Sequence, residues 1–175
     1  MIQIKHKVTG EVMLEVEGDT LQGANLRGAN LTGANLYRAN LCDAKLYRAG
    51  LCDANLGNTS LYRANLRNTN LTGANLTGSS LYRADLRDAN LTGTDLSYAN
   101  LIGADLRGAK NIKSFRCGDF NRESYAVKHK DRVMFKIGCF WGTIEEVLPL
   151  IRDKYGVDSY YEKLVTIYND MLMKD

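Results

Sequence analysis

Proline is nearly missing from the 175 residues, with Pro149 its single occurrence, and no stretch approaches the roughly 18 to 20 consecutive apolar residues that span a bilayer. The opening residues MIQIKHKVTG lack the apolar run of a secretory signal, so the expectation is a soluble, cytoplasmic protein. Cysteines are few and unpaired in pattern. Cys42, Cys52, Cys117 and Cys139 form no CxxC, and His6 and His129 sit far from them, which leaves reduced structural thiols and no metal site. The chain also lacks HExxH, GxSxG and a phosphate loop ending in GK(S/T). Glu145 and Glu146 suit a helix N-terminus better than acid catalysis, and His6 and His129 read as hairpin surface residues. No polarised cluster of nucleophile, base and ligand emerges, so the expectation is a non-enzymatic protein without cofactors.

What the chain has instead is one phrase repeated. Leucine stands at position 21 and at every fifth position through 106, eighteen times without a miss. On an α-helix a step of five turns about 500°, which scatters successive leucines around every side. On a straight strand it sends them to opposite faces. Both failures vanish if the chain bends once per repeat, so that each five-residue edge begins a new side of a coil and every leucine points to a common axis. The residue two before each leucine supports this. From 24 to 104 it is Ala thirteen times and Thr or Ser at Thr59, Thr69, Ser79 and Thr94, as expected of an inward corner position with room for little else. The other three positions vary and are polar, and Gly, Asn or Asp at the last of them suits a turn with positive φ.

The tandem A-(N/D)-L-x-x pattern resembles the pentapeptide-repeat family over residues 19–110. The resemblance implies an all-β architecture, a right-handed quadrilateral β-helix with four repeats per coil and about four and a half coils. At about 4.8 Å per coil the rod would be only ~20 to 25 Å long.

Such a coil exposes core and unpaired backbone at both ends unless something covers them. Residues 1–18 predict an N-terminal β-hairpin cap turning at Thr9-Gly10, with Ile2, Ile4, Val8, Val12, Leu14 and Val16 available for burial. Residues 111–175 predict a C-terminal α+β cap. In it a hairpin over 124–142 turns near Lys130-Asp131, and two helices open with the capping boxes Thr143/Glu146 and Ser159/Glu162. Pro149 should kink or weaken the first helix. The second carries an apolar face of Tyr161, Leu164, Val165, Tyr168 and Leu172, and a homodimer through Tyr160, Tyr161, Leu164 and Tyr168 is one reading of this domain. The whole layout, a TGEV hairpin, the repeats, then an IGCFWGT strand and terminal helices, resembles pentapeptide-repeat proteins of phages and prophages.

With twenty residues per coil, residues twenty apart stack. Tyr62 then lies under Tyr82 and Arg63 beside Arg83, while Arg27, Tyr47, Arg67, Arg87 and Arg107 form a column. Residues 20–110 carry eight Arg and two Lys against six Asp, a net of +4, compared with −2 for residues 1–19 and +1 for 111–175. Arg87 and Arg107 find Asp85, Asp88 and Asp105 on their side. Arg67 is flanked by Asn65 and Asn68, so the patch Lys45, Arg48, Arg63, Arg67 and Arg83, with Tyr62 and Tyr82 beside it, reads as uncompensated positive charge. That patch is the candidate contact surface for an acidic protein partner, against the plainer reading of a solvated face. Some members of the family inhibit or protect DNA gyrase with a strongly negative face that imitates DNA, and the basic repeats here depart from that pattern. Three readings follow: a module that binds and inhibits a bacterial host protein, a nucleic-acid binder using the arginine-rich face, and a structural component of a phage particle.

Overall fold

The computed structural model describes residues 1–116, 123–129, 132–137, 140–155, 157 and 159–174, in two compact units, residues 1–110 and 111–175.

In the first unit the five-residue phrase becomes one edge of a coil. The four residues from each leucine to the following small residue form a turn closed by a backbone bond, as in Ala49 N–H to Leu46 O at 2.9 Å. Its second central residue has positive φ, supplied by Gly at 23, 28, 33, 73, 78, 93, 103 and 108 and by Asn or Asp at 43, 53, 58, 68 and 88. The edges then pair in parallel with partners twenty residues on, from Asn25 with Lys45 to Asn90 with Lys110. One repeat shows the whole ladder: Leu46 N–H donates to Asn65 O, Arg48 N–H to Arg67 O, and Lys45 N–H to Ala24 O, at 2.8, 3.1 and 2.9 Å. Four such edges complete twenty residues, so every fourth leucine lies above the last.

The interior is leucine and small residues. Leu41 through Leu91 are wholly buried at each fifth position, with Ala44, Ala54, Ala64 and Ala74 beside them. Thr59 and Thr94 occupy the small position and send their hydroxyls to Leu36 O and Leu71 O, at 2.8 and 2.7 Å, whereas the Ser79 hydroxyl at the same position is buried with no hydrogen-bond partner among the described residues.

At the N-terminus β1 (Ile2–His6) and β2 (Val12–Val16) form an antiparallel hairpin, and β1 pairs on its other edge with β3 (Ala34–Asn35) of the coil. Ile4 is buried, but Val8 and Val12 are 79% and 47% exposed, contrary to their expected burial. The physical reason is placement, because Val8 lies in the connecting turn and Val12 opens β2, the outer strand of the three. His6 is also no free surface residue. Its Nδ1 accepts the Val8 and Thr9 N–H groups, and its ring lies over Gly33, where a Cβ would come within 2.3 Å of Nε2.

The second unit holds a four-stranded antiparallel sheet in the order β4 (Ile112–Arg116), β5 (Glu123–His129), β6 (Arg132–Ile137) and β7 (Phe140–Gly142). The expected single hairpin over 124–142 is thus three strands, and β4 adds a fourth. Helices α1 (Ile144–Tyr155) and α2 (Tyr160–Lys174) follow. Thr143 N–H donates to Glu146 Oε2 at 2.8 Å and Glu162 N–H to Ser159 Oγ at 3.3 Å, half of each capping box. α1 runs through Pro149, which is exposed, so the proline does not end the helix. The core joins β5, β6 and both helices through Ala126, Val133, Phe135, Val147, Ile151, Val165 and Leu172. No described helix is long and apolar enough to cross a membrane.

Candidate functional site

The outward residues of the coil fall into columns, and the turn geometry decides what each column presents. The Asn or Asp that precedes most of the leucines is not free decoration. Its Oδ1 accepts the N–H two residues on, as in Asn65 with Arg67 at 3.1 Å and Asn75 with Thr77 at 2.9 Å, which fixes the start of the next turn. The two turn residues after the leucine then point outward and carry the chemistry.

Four turns read Tyr-Arg, and each makes the same internal contact. The guanidinium carbons of Arg38, Arg48, Arg63 and Arg83 stand 5.1, 5.0, 5.9 and 5.2 Å from the ring centres of Tyr37, Tyr47, Tyr62 and Tyr82. All four arginines adopt positive φ, between 54° and 59°, where other repeats place glycine. Tyr62 and Tyr82, one coil apart, stack with centroids 5.8 Å apart and planes 9° off parallel. The expected stacking of residues twenty apart is therefore direct here.

The expectation of uncompensated charge requires correction at two positions. Arg67 Nε lies 3.5 Å from Asp88 Oδ2, and Arg63 Nε lies 3.3 Å from Asp43 Oδ1. The reason is the coil. Asp88 follows Arg67 by one coil and one residue, and Asp43 precedes Arg63 by one coil, so a carboxylate in the neighbouring layer reaches where the flanking Asn65 and Asn68 offer no charge. Asp88 thereby serves Arg67, while Arg87 grips Asp85 with Nε and Nη2 at 2.8 and 2.6 Å and reaches Asp105 at 3.5 Å. Arg107 grips Asp105 likewise, at 2.9 and 2.7 Å. The hydrogen bonds from Arg87 and Arg107 hold the carboxyls of Asp85 and Asp105 below the usual aspartate range.

This side of the coil is therefore neutralised internally: Arg67, Arg87 and Arg107 meet Asp85, Asp88 and Asp105. Lys45, Arg48 and Arg83 are exposed and, among the described residues, have no carboxylate within 4 Å. Arg83 adjoins the stacked tyrosines, and its stem crosses Gly103, where a Cβ would come 3.3 Å from its Cγ.

Cys42 and Cys52 are free thiols, half-buried, and Cys42 Sγ lies 3.0 Å from Ser60 Oγ. Cys117 and Cys139, the Lys130-Asp131 turn, and the side chains of His129, Tyr160, Tyr161 and Leu164 lie outside the described residues. Tyr168, the remaining member of the dimer reading, packs against the core of the second unit. Among the described residues no group of His, Cys, Asp or Glu is arranged to hold a metal ion.

The family described as Pentapeptide repeats matches in eight copies over residues 20–58, 49–88 and 79–110, together 20–110 and just over half of the chain. No curated protein sequence matches. Among solved structures, a pentapeptide repeat protein from the thylakoid lumen of Arabidopsis thaliana is 27% identical, with 51% of this chain and 62% of that one covered and a TM-score of 0.49. HetL, a pentapeptide repeat protein involved in heterocyst differentiation regulation from the cyanobacterium Nostoc sp. strain PCC 7120, is 33% identical, with 53% and 51% covered and a TM-score of 0.42. QnrB1, a plasmid-mediated fluoroquinolone resistance protein, is 19% identical, with 49% and 57% covered and a TM-score of 0.23. The chain spans about half to under two thirds of the length of these proteins. With an unbroken leucine register, parallel pairing every twenty residues and a family match over 20–110, the chain belongs to the pentapeptide-repeat family.

Proposed function

We propose that the chain is a non-enzymatic protein-interaction module whose coil, a right-handed quadrilateral β-helix capped by the N-terminal hairpin, presents a rigid cationic face to an acidic protein. The face comprises Lys45, Arg48, Tyr62, Arg63, Arg67, Tyr82 and Arg83. The observation that carries this reading is the stacked pair Tyr62–Tyr82 with a guanidinium over each ring, because it fixes exposed donors on a scaffold whose interior does not depend on them. Arg63 and Arg67 contribute less than Lys45, Arg48 and Arg83, since Asp43 and Asp88 already answer their charges. The partner in this reading is a bacterial host protein in the cytoplasm, bound and inhibited by a phage or prophage product, as the terminal motifs suggest.

The test is affinity capture from the producing cell with the parent chain and with Arg63→Ser/Arg67→Ser/Arg83→Ser. The variant should melt within about 2 °C of the parent, since exposed ion pairs are worth ~0 to 1 kcal/mol each. A single host protein held by the parent, released by salt and lost by the variant, supports the reading. A partner held equally by both moves the site to another surface, and the second unit, with its homodimer reading, is then the place to look. Capture abolished by nuclease favours the nucleic-acid reading, and recovery of the chain in intact particles favours a structural role.

A further inference from the structure

We infer that the N-terminal end of the coil is a homodimer interface, in which the hairpin of each copy lies over the open end of the other and adds strand β2 to its unpaired edge. The interface belongs to the end of the coil, so it goes beyond the cationic face on its side and stands or falls without it.

Backbone pairing shows that the hairpin covers this end on one side only. In later coils the residue before each leucine bonds back to the preceding coil: Lys45 N–H donates to Ala24 O and Lys45 O accepts from Leu26 N–H, and Gly50 does the same with Ala29 and Leu31. In the first coil Asn35 finds that partner in Lys5 of β1. The N–H and C=O of Asn25 and Asn30, on the two preceding sides, take no backbone partner among the described residues. Burial follows the same line, since Ala34 beside the hairpin is wholly buried while Ala24 and Ala29 are only half-buried.

The hairpin carries a second free edge. Lys5 pairs with Asn35, and Lys7 N–H donates to Gly33 O, so the odd residues of β1 face the coil and Ile2 and Ile4 face Val16 and Leu14 of β2. In such a ladder bonding alternates along a strand, which turns the N–H and C=O of Glu15 away from β1, on the outer strand of the three.

Shape selects a second copy as the occupant. The hairpin stands two strands beyond the coil end, a lip about 10 Å high, while the sides of Asn25 and Asn30 stay at coil level. A copy related by a two-fold axis brings a lip of equal height into that step, so β2 of each copy meets the coil edge of the other and both free edges are paired together. A single extended strand from another protein leaves β2 unpaired and cannot follow an edge that turns a corner between Asn25 and Asn30.

Charge selects the same occupant. Glu11, Glu15, Glu17 and Asp19 outweigh Lys5 and Lys7 in the hairpin segment, whereas residues 20–39 carry Arg27 and Arg38 and no acid. Arg27 stands exposed at the corner between Asn25 and Asn30 and has no carboxylate within 4 Å among the described residues. Carboxylates that guard β2 against an arbitrary strand are thus matched by the first coil of this same chain.

The experiment is sedimentation velocity on the full chain from about 5 to 300 µM, with amide hydrogen exchange at both ends of that range. A dimer should form as concentration rises. In it the amides of Glu15 and of Asn25 or Asn30 should exchange about tenfold or more slowly than at the dilute end. Glu15→Pro removes only the outward N–H and should sediment as a monomer with the circular dichroism of the parent. Arg27→Glu, on an exposed turn, should weaken association by about tenfold, and adding Glu15→Lys and Glu17→Lys in the same chain should recover part of the loss, which keeps the test open even where Glu15→Pro fails to fold. A monomer throughout, a dimer in which these amides exchange as fast as in the dilute protein, or indifference to Arg27→Glu each overturns the inference.

Discussion

The two units solve the problem of a core in opposite ways. In residues 1–110 each buried leucine from Leu41 on repeats the position of the one twenty residues before it, beside another small residue. In residues 111–175 the buried side chains described, from two strands and two helices, meet once with Phe135 among them, and none can stand in for another. The first core is defined by a period and the second by a particular fit. A substitution should therefore act locally and by rule in the coil, and idiosyncratically in the second unit.

The sharpest break is a charge on the axis. Leu66→Lys places an ammonium where exposure is zero and no partner exists in the leucine stack, so soluble folded protein should be lost. Thr72→Lys, at a half-buried outward position, should leave the far-ultraviolet circular dichroism and elution volume of the parent. Equal behaviour of the two would remove the register. Next in size is Phe135→Ala, which should cost about 3 to 5 kcal/mol by the lost burial and the cavity left behind. Calorimetry should show the second unit melting earlier while the transition of the coil stays in place. A joint shift of both would mean that the units unfold together.

Acid gives the smallest effect and sharpens the comparison from the surface. Asp85 and Asp105 have folded-state pKa values depressed chiefly by the hydrogen bonds from Arg87 and Arg107. A depressed carboxyl contributes stability above its unfolded pKa and loses it as pH falls through the folded one. Coil stability should thus be flat from neutrality to about pH 5 and decline below ~pH 4. Asp85→Asn/Asp105→Asn should flatten that decline, as read from melting temperature against pH.

How much of this was legible follows the same division. The leucine period and its alanines announce a coil, because periodicity is a property of sequence that survives translation into structure one position at a time. The stacking of Tyr62 on Tyr82 was legible for the same reason. The partners of Arg63 and Arg67 were less so: the sequence places Asp43 and Asp88 in adjacent layers, but side-chain reach decides which arginine each aspartate serves. The arginines at positive φ carried no signal, since turn preference points to Gly, Asn or Asp there. The Asn and Asp bonds to the next turn could have been found from their recurrence before leucine. In the second unit capping boxes marked both helix starts, whereas β4 and the break between β6 and β7 depend on pairing that no local pattern announces.

The twenty-residue pairing distance has a kinetic side. Closing a loop costs entropy that grows with its length, and most β-folds close loops of many lengths before their sheets reward them. Here each layer is joined to the next across the same span, from Asn25–Lys45 to Asn90–Lys110. After a first closed coil, every further pentapeptide adds its bonds to a template already in place, so assembly should proceed as a zipper with a slow start and uniform steps. A chain built this way can lengthen by whole coils without making its own folding harder.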